Sequence, residues 1–440
     1  MNQDEDFAAP AIHIIQERWP SVWSELEAAP DYPGIELIQG NPSVTLKAGG
    51  IQLASAYEPL AEARLQMADL SRESRRLCLY GVGMGYLPRL LLNELPGDAQ
   101  LQVVPLNRAL FKELLYWIDQ SDWLADERIQ LLLPTPDTRP EPPYILTPPC
   151  LWLADEAGSS LRDRLLVNLN QDNAEQSLEQ QANIFSDNMS QNEPLLESDG
   201  DAEELFGKLP PSNNGAVVIA AGPSLNSELA AVRRLQASGR IVIAVDAALR
   251  TLLAGGVLPS IVVTLDHKPT ISRFFDADLN PMRDSTLVYF PVVDNAVLTA
   301  WPHRRLAAYT SNRRYDELRR RCPKATLYAS GTVLHPAVDL AVQMGAKEIH
   351  LAGADFSFPD ARTHAVGVFD AHRLEPDALR ERTAHWVING HDERVPSIVN
   401  LIGYLRDLED YIRSRPDVDF VNLSRKGARI TGARYPEETR

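Results

Sequence analysis

The chain has 440 residues, 44% of them hydrophobic and 23% charged, which is a globular composition with apolar mass for more than one core. A formal net charge of -17 excludes general affinity for nucleic acid or acidic lipid, because both need concentrated Lys and Arg. Three scattered cysteines (Cys78, Cys150, Cys322) give no disulfide framework or zinc spacing, no apolar run reaches the ~20 residues of a membrane helix, and the start "MNQDEDFAAPAIHII" is acidic, so a cytoplasmic protein without membrane insertion is expected.

In chain order, "AIHIIQERW" predicts a helix, and "IELIQGNPSVTLKAGGIQLASAYEP" predicts short antiparallel strands broken at Gly-Asn and Gly-Gly. "RRLCLYGVGMGYLPRLLLNELPGDAQLQVVPL" follows as one strand, glycine turn, helix and strand. The turn carries Gly81, Gly83 and Gly85, but Pro105, Leu106 and Asn107 stand where a dinucleotide site keeps an acid, so a structural or acceptor-facing role is expected. The stretch 134–149 is too proline-rich for a helix or central strand and is expected to run over a surface. A helical connector and polar linker occupy 150–214, dividing an N-terminal α/β domain (1–149) from a C-terminal domain (215–440).

From 216 the strands "AVVIAA", "RIVIAVD", "SIVVTLD", "TLVYFPV", "ATLYAS" and "EIHLAGAD" alternate with helical segments, which predicts a doubly wound, mostly parallel α/β sheet covered on both faces. The tail, 375–440, reads as helical with a hairpin at "WVINGHDERVP" and a last strand, "DFVNLS".

Ligands of such sheets sit outside the carboxyl ends of the strands, and here those ends are polar. Gly222, Pro223 and Ser224 follow the first strand, Asp246 and Asp266 end the next two, Ser330, Gly331 and Thr332 follow "ATLYA", and Gly353 and Asp355 end the last. Glycine permits close backbone approach, and a serine at a helix start is expected to leave N–H groups for an anion such as a nucleotide phosphate. The bland alternative is that Pro223 and Ser224 only start a helix. Asp246, Asp266 and Asp355 are the expected ligands if Mg2+ is used; otherwise they accept hydrogen bonds from sugar hydroxyls. His364, in "DFSFPDARTHAVGVFD", is the expected base for an acceptor hydroxyl, with Asp355 second. His335 reads as a core residue. No GxxxxGK[ST] occurs, which argues against a P-loop enzyme. The Asp-x-Asp pairs at 199/201, 276/278 and 417/419 read as solvated surface, as do the basic runs at 71–76 and 313–321.

As a set, "AAGPSL", "AVDAALRTLLAGGVLPSIVVTLD", "SGTVLHPAVDLAVQMGAKEIHLAGADFSF" and "RTHAVG" resemble the core of the motility-associated factor (Maf) family, with "LYGVGMGYLPRLL" and "FVNLSRKGARITG" resembling its flanking motifs. The resemblance implies a sialyltransferase-like Rossmann variant. It also implies a bacterial cytoplasmic glycosyltransferase that moves a nonulosonic acid, such as pseudaminic or legionaminic acid, from a CMP-activated donor to Ser or Thr of flagellin. Sialyltransferases have Asn-Gly-Pro-Ser-Leu at the nucleotide turn, and Ala221 stands here in place of the asparagine. The same core is similar to that of an archaeal hydroxymethylpterin pyrophosphokinase using Mg2+ and ATP. A non-catalytic flagellar or surface-assembly protein is the third class of reading.

Overall fold

The computed structural model describes residues 8–41, 43–170, 179–209, 215–369, 371–375, 377 and 385–437. The first seven residues, the connector at 171–178, the linker at 210–214 and the tail at 378–384 lie outside the described residues. The chain divides into two compact units, Met1–Leu169 and Asn170–Arg440. The connector expected at 150–214 is shared between them: helix Ser159–Leu169 belongs to the first unit and helix Ala182–Ser198 to the second.

In the first unit, helix Ala8–Arg18 forms as its pattern predicts, with Ala11 and Ile15 buried. The turn-punctuated stretch after it makes an antiparallel sheet of β1 (Glu36–Gln39), β2 (Val44–Ala48) and β3 (Ile51–Gln52). A parallel sheet follows from β4 (Arg76–Tyr80), β5 (Gln100–Val104), β6 (Ile129–Leu131) and β7 (Tyr144–Leu146), in the order β6-β5-β4-β7. The proline-rich stretch is thus surface only in part. Tyr144–Leu146 adds an edge strand, with prolines flanking the ladder instead of interrupting it.

The glycine turn after β4 is filled by the protein itself. A Cβ on Gly81 would stand 2.4 Å from Cys150 Cβ, one on Gly83 2.9 Å from Thr147 Cγ2, and one on Gly85 2.2 Å from Gln120 Oε1. The cavity left beside Gly83 holds about 10 Å³, the room of a single water. These glycines make space for side chains, a structural role.

Among the described residues, the second unit is built on nine parallel strands: β8 (Gly200–Asp201), β9 (Gly215–Ile219), β10 (Ile241–Val245), β11 (Ile261–Thr264), β12 (Thr286–Tyr289), β13 (Arg305–Ala307), β14 (Glu348–Ala352), β17 (Asp419–Asn422) and β18 (Ala433–Arg434). Their order is β18-β17-β14-β9-β10-β11-β12-β13-β8. Every residue of β9, β11 and β12 is buried, and successive side chains point to opposite faces, so both faces are covered. The expected hairpin forms as β15 (Trp386–Ile388) and β16 (Arg394–Pro396).

The expected strand "ATLYAS" is not a strand; it makes one bridge, between Thr326 and Tyr309. Its backbone is diverted to the following helix, Leu334–Gln343: Tyr328 N donates to Asp339 Oδ2 at 2.8 Å and Ser330 N to His335 Nδ1 at 3.2 Å. Side chains have replaced the ladder. One of the Asp-x-Asp pairs, 199/201, is likewise a structural anchor more than solvated surface. Asp199 takes a two-pronged ion pair from Arg305 at 2.7 and 3.0 Å and a hydrogen bond from Tyr289 at 3.1 Å, while Asp201 accepts from Ala325 N at 2.9 Å. The 417/419 pair is exposed surface, where Asp417 pairs with Lys347 and Asp419 with Arg434. Truncating Asp199 strands the half-buried Arg305, so Asp199→Ala will cost about 2 kcal/mol, read as a lower urea midpoint of the second unit.

Candidate functional site

β9 is the point from which the strand order runs both ways. β10, β11, β12 and β13 lie in succession to one side, whereas β14 lies against the other. The crevice outside the carboxyl ends of β9 and β14 is therefore the topological switch point, where ligands of open α/β sheets bind. Gly222–Ser224 follows β9 there, and Gly353–Asp355 follows β14.

The two turns are tied together. Gly222 N donates to Gly353 O at 2.9 Å, and Ser224 N donates to Asp355 Oδ2 at 2.8 Å. A Cβ on Gly222 would lie 2.4 Å from both Asp355 Oδ2 and Gly353 O, and one on Gly353, at φ +64°, 2.5 Å from Ala220 O. Only glycine admits this approach at either position. Ser224 forms no side-chain cap on helix Leu225–Ala237. The N–H groups of Gly222, Ser224 and Leu225 are all taken inside the protein, that of Leu225 by Gly222 O at 3.1 Å. The expectation of free N–H groups for an anion fails at these three residues, because the Asp355 carboxylate already occupies the positive end of the helix.

Beneath the turn lies a residue that sequence reasoning missed. Glu228, one turn into the helix and 6% exposed, accepts from Gly353 N at 2.8 Å through Oε2. Burial first, and the neighbouring Asp355 carboxylate second, push Glu228 up to about 7; burial pushes Asp355, 3% exposed, up to about 6. Ser224 Oγ, Asp355 Oδ1 and Glu228 Oε1 are all buried, and the Ser224 hydroxyl acts on both carboxylates. An acid raised in the fold binds its proton more tightly than in the unfolded chain, so its stabilising contribution is full below about 4.5 and is lost as pH rises through about 7. The melting temperature of the wild type will accordingly fall relative to that of Glu228→Gln between those pH values, as measured by scanning calorimetry.

Across β9, Asp246 ends β10. Its Oδ2 accepts from Thr264 Oγ1 and its Oδ1 from Ala247 N, both at 2.7 Å, and burial raises its pKa to about 6. Asp246 thus braces β10 to β11. Asp266 and His267 follow β11, with His267 Nδ1 3.3 Å from Asp266 Oδ1. The ring of Phe185 packs edge-on against His267, with centroids 4.4 Å apart, and Arg314 stacks on Phe185 at 4.1 Å. Burial lowers the pKa of His267; Lys268 and Arg314 add to the effect, and Asp266 opposes it. His267 was legible by the strand-end test, since it directly follows an expected site aspartate. Arg314 belongs to the basic run expected to be a solvated face.

Ser330 and Gly331 are packed against helix Val399–Arg413. Ser330 Oγ donates to Asp407 Oδ2 at 2.6 Å, Thr332 Oγ1 accepts from Leu334 N at 3.4 Å, and a Cβ on Gly331 would meet the Tyr404 ring at 2.2 Å. His335 is the buried residue expected: it accepts from Ser330 N, and its Nε2 lies 3.0 Å from Tyr404 O. Tyr404 and Asp407 carried no sequence signal, because they reach the site from a helix about 70 residues further along the chain.

His364 stands in a loop fastened to the first turn. Its neighbour Ala365 donates to Ala221 O at 2.9 Å, Val366 N donates to Asn226 Oδ1 at 2.7 Å, and Thr251 Oγ1 donates to Val366 O at 3.1 Å. The backbone on the C-terminal side of the half-buried His364 is therefore held beside the Gly222 turn.

The residues expected to hold Mg2+ do not form one donor set. Asp266 is among the charges acting on Asp246, whereas Asp360 and Lys426 are among those acting on Asp355, and among the described residues no three His, Cys, Asp or Glu side chains are grouped to hold a metal ion. Both oxygens of Asp246 and one of Asp355 already accept hydrogen bonds within the fold.

Residues 187–361 match the family model described as 6-hydroxymethylpterin diphosphokinase MptE-like. The match spans β8 to β14 and ends before His364 and the helix bearing Tyr404. No curated protein matches the chain. Among solved structures, the chain is similar to the Maf glycosyltransferase from Magnetospirillum magneticum AMB-1, at 15% identity and a TM-score of 0.43, over 98% of this chain and 74% of that one. No helix among the described residues is long and apolar enough to cross a membrane.

Proposed function

We propose that the second unit is a glycosyltransferase of the motility-associated factor type. It takes a CMP-activated nonulosonic acid and transfers the sugar to Ser or Thr hydroxyls of flagellin in the cytoplasm. The observation that supports this reading is the fastening of the loop bearing His364 to the Gly222 turn, at the switch-point crevice, through the backbone of Ala365 and Val366. His364 takes the acceptor proton as the hydroxyl attacks the anomeric carbon and CMP departs. Asp355 positions the Gly222–Ser224 turn through Ser224 N. With the turn's N–H groups occupied, the phosphate is better served by Lys268 and Arg314, the cations beside His267.

The second reading, transfer of diphosphate from ATP to an alcohol, is favoured by the family matched over 187–361. A non-catalytic assembly protein would need neither nucleotide. Calorimetric titration with CMP and with ATP, each with and without Mg2+, separates the three. CMP binding independent of Mg2+ supports the glycosyltransferase, ATP binding only with Mg2+ supports the kinase, and binding of neither removes both.

A further inference from the structure

On the second unit a cavity of about 400 Å³ opens between the turn at 358–361 and the β15–β16 hairpin. That volume is within the range of small-molecule sites. The buried Phe358 and Val395 line it on the apolar side, while Asp360, His391, Glu393 and Lys426 supply polar groups. The carboxylates Asp360 and Glu393 balance the cations Arg394 and Lys426, so the wall alternates acceptors and donors without selecting a net charge.

Two further features mark it as a built site. Asp360 and Ala361 both hold φ of +55°, and Asp392 at the hairpin tip holds +62°, left-handed conformations that non-glycine residues keep only where surrounding structure enforces them. The segment bearing Lys426 also lies against the switch-point site: a Cβ on the next residue, Gly427, would fall 2.4 Å from Asp355 Oδ1, and Ala428 N donates to Asp355 O at 2.7 Å. Lys426, which pairs with Asp360 at 3.1 Å, lines the cavity one residue from that contact. The "SRKGAR" motif, given no part in the transfer chemistry, thereby joins the two.

We propose that this cavity binds a pyranose ring, with the vicinal hydroxyls on Asp360 and Glu393 and a C–H face on Phe358 and Val395. The proposal rests on the glycosyltransferase reading, and the sugar belongs either to the donor or to a glycan on the acceptor. Saturation-transfer NMR of the full chain with free N-acetylneuraminic acid and with methyl β-galactoside tests it. Asp360→Gly keeps the left-handed backbone and removes the carboxylate; Glu393→Ala removes the other. One sugar should give ring-proton transfer that weakens at least fivefold in each variant, with the melting temperature held within about 2 °C. Transfer to the acid alone assigns the donor sugar, and transfer to the neutral glycoside assigns the acceptor. CMP binding without either sugar, or sugar binding unchanged in both variants, overturns the cavity while the donor reading stands. Sugar binding that depends on Asp360 in a protein that ignores CMP does the reverse.

Discussion

Gly222→Ala will weaken CMP binding at least tenfold and lower the melting temperature of the second unit by several degrees. The added methyl would lie 2.4 Å from Asp355 Oδ2 and from Gly353 O, and the second of these is backbone that cannot rotate away. The turn must shift, breaking the Gly222–Gly353 and Ser224–Asp355 hydrogen bonds that fasten β9 to β14 beyond their ladder. Overpacking of this kind costs about 1–3 kcal/mol. Gly97→Ala is the control, since a Cβ there meets nothing within 4 Å. Calorimetric titration and thermal melts of both variants check the result. Unchanged CMP affinity in Gly222→Ala would remove the turn from the binding site.

His364→Ala will reduce turnover at least about 100-fold while leaving CMP affinity within twofold of wild type. General-base catalysis contributes roughly that much when the acceptor must lose a proton. The loop is held by the backbone of Ala365 and Val366, so the imidazole can be deleted without releasing it. Single-turnover assays with a CMP-sugar, beside titration with CMP, separate the two effects. A parallel loss of binding would make His364 a positioning residue. The limb of the pH profile assigned to His364 should vanish in the variant, an outcome that a merely structural role does not produce.

Both predictions concern residues visible in the sequence, and the reason is local. β9, β10, β11, β12 and β14 announce themselves as apolar runs ended by glycine or aspartate, because a buried parallel strand must be apolar on both faces and polar only where it leaves the sheet. The His364 loop was legible for the same reason, as polar chain directly after such a run. The strand expected at "ATLYAS" failed where that logic is weakest: a short run whose N–H groups found Asp339 and His335 instead of a neighbour.

The sequence by itself determined the parallel α/β sheet, the hairpin and the set of polar strand ends, all properties of neighbouring residues and their periodicity. Tertiary structure alone decided what those ends do. Asp355 meets Ser224 across 131 residues and closes the helix end to an outside anion, Glu228 is sealed beneath it, and Asp246 is spent on Thr264. Tyr404 and Asp407 arrive from a later helix, and Gly427 lets the segment bearing Lys426 rest on Asp355. Such pairings are set by three-dimensional packing, in which one missing Cβ or one buried carboxylate chooses a partner that no local pattern encodes.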